Sequence, residues 1–203
     1  MMPLPKNKRA FSLVELLVVI AILGILAAVL VPAVRQAIRS SALATSASNV
    51  RQLAAGTAAY LSTNNHRFWP YRQGIDDGDR YGVEWWFGFE PIESLGKPEG
   101  EQWFVPGSGP LGGFVPGGLQ PDPSFQFAGK PLKPKFEFGY IGVGYNVLLG
   151  GGWLGLDEPV RFSEIENPAR TVVFATSAQV NTFQHPASSD NPMIEEFYGI
   201  DDQ

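Results

Sequence analysis

At 203 residues the chain is too short for two large domains. Its 23 glycines and 17 prolines fall almost wholly after His66, so a helix-compatible first part gives way there to turn-rich chain. A formal charge of −5, with no basic run longer than the Lys6, Lys8, Arg9 cluster, argues against a nucleic-acid surface. Cysteine is absent, which excludes disulfides and thiolate metal sites and leaves the fold to be held by its core.

The first predicted element is an apolar helix. Residues 11–34 contain one charge, Glu15, and roughly 24 helical residues rise about 36 Å, enough to cross a hydrocarbon core of about 30 Å. Lys6, Lys8 and Arg9 precede this span and Arg35 and Arg39 follow it, so charge alone favours a cytoplasmic N-terminus only modestly. A secretory signal would carry a shorter apolar region of about 7 to 15 residues without an acid. A plain anchor leaves Glu15 without a role, although a mid-membrane carboxylate costs about 2.5 to 3.5 kcal/mol. A buried soluble helix is seldom apolar on every side for such a length.

The segment RAFSLVELLVVIAILGILAA at 9–28 closely resembles the N-terminal cleavage and methylation motif of type IV prepilins and type II secretion pseudopilins. The resemblance implies that residues 1–10 are a cytoplasmic leader, cut between Ala10 and Phe11 by a prepilin peptidase that also methylates the Phe11 amine. It further implies that Glu15 serves assembly, meeting the amine of an incoming subunit. Gly24 and Pro32 stand where helices of this family carry a glycine and a helix-loosening proline. Ala10 departs from the glycine usual before the cut. By the same resemblance the chain is a structural subunit rather than an enzyme and needs no cofactor. Its partners are other pilin or pseudopilin subunits, the peptidase and an ATPase-driven inner-membrane assembly platform. Its place is the bacterial inner membrane, head outside, and then a periplasmic or surface filament.

Cleavage would create an amine of reference pKa about 7.7 to 8.0 at the start of an apolar helix. Phe11 and Glu15 lie four residues apart, so their charges could cancel within one chain or between neighbours. Loss of the leader also removes three basic side chains, taking the formal side-chain charge from −5 to −8.

Residues 35–65 are predicted to continue the helix amphipathically, with Leu43, Ala47, Val50, Ala54, Thr57 and Leu61 on one face. A helix from Ser12 to Leu61 would be about 75 Å long. Pro32, Gly24 and Gly56 are expected to weaken their turns, and Asn64 and Asn65 to end the pattern.

Residues 66–203 form the expected extracytoplasmic head. Trp69, Trp85, Trp86 and Trp103 could make a sugar-binding platform, and a membrane-tethered carbohydrate-binding protein that keeps its leader is the rival reading. Buried core is the commoner use of such residues. Asp76, Asp77 and Asp79 are weak calcium candidates that lack EF-hand spacing, and a solvated acidic turn is favoured. Further on, 136–151 and 170–178 read as two or three antiparallel strands. The predicted fold class is therefore α+β and pilin-like, with a long N-terminal helix, membrane-spanning then amphipathic, packed on a small antiparallel sheet with long Gly/Pro-rich loops. The chain lacks the final strand common in larger proteins of this kind, which implies either a different closure or truncation after Gln203.

Overall fold

The computed structural model describes residues 13–98, 100–115, 118–123, 133–137, 142–177, 179–183, 185–195 and 199–200. They fall into two compact units, Met1–Ser41 and Ala42–Gln203. Helix α1, Leu13–Thr63, is 51 residues long and contributes to both.

In the first unit every described side chain of α1 is exposed. The most apolar 18-residue window has a mean hydropathy of 3.1 and no part of it is buried. By length and composition α1 is able to cross a membrane. The helical run is unbroken through Gly24 and Pro32, so any loosening in an assembly would start from a continuous helix.

In the second unit the helix buries one stripe: Ser46, Leu53, Gly56, Thr57 and Leu61. This corrects the predicted face, of which only Thr57 and Leu61 are buried; Leu43 is 63% exposed and Val50 37%. The cause is close approach. A Cβ on Gly56 would lie 2.7 Å from Val115 Cγ2 and 3.2 Å from the Phe114 carbonyl oxygen, so Gly56 admits a neighbouring loop instead of loosening its turn. The helix ends where expected. Asn65 and His66 take φ of 54° and 55°, and the His66 amide donates to the Leu61 carbonyl at 2.9 Å, a closure that satisfies a terminal carbonyl.

The remaining elements are short. A four-stranded antiparallel sheet is formed in the order β1 (Arg72–Asp76), β2 (Tyr81–Trp85), β3 (Gly88–Pro91) and β4 (Val105–Pro106). The helical turn α2, Ile92–Leu95, follows β3. Two three-stranded sheets complete the unit. One has β6 (Val143–Asn146) between β10 (Gly199–Ile200) and β7 (Phe174–Thr176). The other has β9 (Met193–Glu195) between β5 (Lys133–Pro134) and β8 (Gln179–Asn181). The architecture is α+β, as expected, but the small antiparallel sheet is joined by two mixed ones in which β10 and β5 run parallel to their neighbours. Of the strands expected in 136–151 and 170–178, β6 and β7 are present and antiparallel, with Val143 opposite Thr176 and Tyr145 opposite Phe174, while residues 147–151 form a turn.

The core is aromatic. Trp69 stacks on Tyr145 with ring centroids 4.8 Å apart and meets Tyr60 of α1 edge-on at 5.2 Å. Phe104 bridges Phe87 and Phe136 at 5.1 and 5.0 Å. Such edge and offset contacts add to the burial that holds a head without disulfides. Burial raises the Tyr145 phenol well above its ordinary range, and its hydroxyl donates to the Trp69 carbonyl at 3.1 Å.

Candidate functional site

The residues that define the predicted site occupy the start of the chain. Ala10 and Phe11 lie outside the described residues. Glu15 sits in the first turn of α1 and is exposed, where the positive end of the helix dipole favours a carboxylate. Around Gly24 a Cβ would meet nothing within 4 Å, which leaves that surface open to a neighbouring helix. Pro32 lies within the same exposed stretch.

The other candidates have structural occupations. Asp77 closes the β1–β2 hairpin: its Oδ1 accepts from the Arg80 amide at 2.7 Å and the Asp79 amide at 3.2 Å, and its Oδ2 pairs with Arg80 Nε at 3.1 Å. The Arg80 backbone bond is the main reason its carboxyl is held below the ordinary value. Asp76, Asp77 and Asp79 are thus spread over a capped turn, and among the described residues no three His, Cys, Asp or Glu side chains gather for a metal. Trp69 and Trp86 are fully buried and Trp85 is 3% exposed, so these three offer no ring face to a sugar; Trp103 is half-buried.

Two polar centres were not legible in the sequence. Glu90, on β3, is fully buried, with Trp85 Nε1 donating to its Oε2 at 2.9 Å and Ser94 Oγ to its Oε1 at 3.2 Å. Asp122 is 2% exposed and joins distant parts of the second unit, accepting from Ser46 Oγ of α1 and from Thr176 Oγ1 of β7, the latter at 2.9 Å. Neither lies in a pattern that marks it. Glu90 closes an aromatic run and Asp122 falls in a proline-rich loop.

Burial raises the Glu90 carboxyl above its ordinary value, against the lowering effects of Trp85, Lys135 and Ser94. A raised folded-state value means that the native state holds the proton more tightly than the unfolded chain does. Stability from this group is full below the ordinary value near 4.5 and is lost as pH rises through the folded value. Glu90→Gln is expected to flatten that loss, measured as the difference in urea midpoint between pH 4.5 and pH 8. An undiminished pH dependence in Glu90→Gln would assign the slope to other groups.

Residues 5–31 match the family described as Prokaryotic N-terminal methylation motif. This is the signature of type IV pilins and pseudopilins, and in this chain it leads into a long apolar helix. The match covers the start of the chain and stops within the apolar stretch of α1. No curated protein and no solved structure gives a significant match.

Proposed function

We propose that the chain is a structural subunit of a type IV pilus-like or type II secretion filament. In this reading a prepilin peptidase removes residues 1–10 and methylates Phe11, and the mature chain assembles through its N-terminal helix. The observation that supports this best is the continuity of the methylation motif at 5–31 with a 51-residue helix whose described residues up to Ser41 are all exposed. Such an apolar surface needs lipid or other helices around it. A bilayer supplies the first environment and a bundle of identical helices the second.

The proposed cycle follows from these two environments. The chain is inserted in the inner membrane with its N-terminus cytoplasmic and its head outside. Removal of Lys6, Lys8 and Arg9 then takes away the positive anchors that resist upward movement. An ATPase-driven platform extracts the helix, and Glu15 meets the Phe11 amine of the next subunit. Gly24 and Pro32 are the proposed points of helix loosening in the filament. The exposed stripe with Leu43 and Val50 continues the apolar surface toward the head and is available to neighbouring helices.

Shearing cells whose outer envelope has been opened, which reaches a periplasmic as well as a surface filament, tests the reading. Filaments containing this chain are expected in the sheared fraction, and their loss is expected when the prepilin peptidase is deleted. An equal amount of sheared protein with and without the peptidase contradicts it.

A further inference from the structure

The second unit carries an apolar projection and an apolar groove. The projection is the loop after β6. Gly151, Gly152 and Gly155 hold φ of 79°, 78° and 62°, a conformation that side-chain-bearing residues rarely adopt. A Cβ would come within 2.1 Å of the Asp157 carbonyl at Gly151, and within 2.2 Å of the Arg72 carbonyl at Gly155. The Gly152 amide donates to the Val147 carbonyl at 2.8 Å, and Gly155 to Gly152 at 3.1 Å. Trp153 meets Tyr71 edge-on at 5.5 Å. This fixed backbone leaves Leu154 58% and Leu156 80% exposed, followed directly by the exposed Asp157.

The groove has a volume of about 500 Å³ and is lined by Leu148, Leu149, Val160, Ile165 and Val172, with Arg170 as its cation. Among the described residues the ion pairs engage Arg67 and Arg80, and none engages Arg170 or Asp157. Leu156 does not line the groove of its own copy.

We propose that this groove receives the Leu154–Leu156 loop of a second copy of the chain, with Asp157 of that copy against Arg170. Opposite charge beside apolar complementarity fixes the register, because the wrong face would leave both charges unpaired. Each copy presents both a projection and a groove, so a one-way contact, as a filament requires, repeats from copy to copy, whereas a reciprocal one would close a dimer. The inference deepens the filament reading and rests on it for its setting: it names a head-to-head contact that would act beside helix packing.

The absence of cysteine makes a clean test. Full-length Leu156→Cys and Val172→Cys chains carrying different epitope tags are co-expressed, the envelope fraction is oxidised, and mixed dimers are read on a non-reducing gel. The expected result is a mixed dimer well above that from either variant alone or from Leu156→Cys paired with Tyr81→Cys. Adding Arg170→Glu to the groove copy is expected to lower the yield about tenfold, and Asp157→Arg in the loop copy to restore it.

Filaments of chain processed at Phe11 that give no dimer above the Tyr81 control overturn the contact alone. That result would also follow from a groove filled by another protein. A dimer yield unchanged by Arg170→Glu overturns the contact as well. An unprocessed chain that still forms the dimer, with its charge dependence, overturns the filament reading and leaves the contact standing.

Discussion

Glu15→Ala protein is expected to insert in the membrane and to be processed as the parent chain is, yet to yield roughly a hundredfold less filament or more. Insertion should be unimpaired or improved, because an acid has been removed from an apolar span where it costs about 2.5 to 3.5 kcal/mol at mid-membrane. Assembly is different. An incoming Phe11 amine would be left charged among apolar helices, and truncating one partner of a buried pair costs about 3 to 5 kcal/mol. Glu15→Asp, one methylene shorter, should rescue poorly. Sheared filament yield set against immunoblots of mature membrane protein separates the two effects. Normal yield from processed Glu15→Ala chains would remove the intersubunit role and leave Glu15 as a helix-start residue.

Trp69→Ala is expected to destabilise the head by about 3 to 5 kcal/mol, a large share of the roughly 5 to 15 kcal/mol typical of a domain. Trp69 is fully buried and links Tyr60 of α1 to Tyr145 of β6 through the ring contacts at 5.2 and 4.8 Å. With no disulfide to hold the unfolded chain together, loss of this contact is expected to raise the susceptibility of the head to proteolysis. Among the described residues Trp69 Nε1 has no hydrogen-bond partner, so Trp69→Phe gives up packing volume without breaking a polar contact and should cost markedly less. Urea unfolding of the detergent-solubilised chain, followed by protease resistance, checks the order. Equal losses for the two variants would show that ring stacking on Tyr145 is not what stabilises this site.

The parts of the molecule that were legible in the sequence are those whose chemistry is local. The apolar span with Glu15 is a contiguous signal, because a membrane constrains successive residues along one helix. The existence of β6 and β7 also followed from alternation and β-branched residues, since both strands announce themselves individually. The buried face of α1 did not. Residues 42–63 are rich in Ala, Ser and Thr, so several faces look equally apolar, and the choice falls to Ser46 and Gly56 because Asp122 and Val115 approach them from far along the chain. The four-stranded sheet was hidden for a similar reason. Its strands lie in the Gly- and aromatic-rich stretch after His66, where Trp86 and Phe87 join β2 to β3 as a buried two-residue connection instead of a polar turn. Glu90 is the extreme case: no local feature distinguishes a carboxylate sealed under Trp85 and Ser94 from one in solvent.

The central claim, that this chain is a processed pilin-type filament subunit, is tested most directly at its N-terminus. Mass spectrometry of N-terminal peptides from the envelope fraction of peptidase-competent cells reads the relevant bond without assuming a filament type. A filament subunit is expected to begin at Phe11 and to carry one methyl group on its amine, with residues 1–10 gone. Recovery of only full-length chain starting at Met1 or Met2 from those cells would contradict it, and would return the protein to the class of tethered proteins that keep their leader.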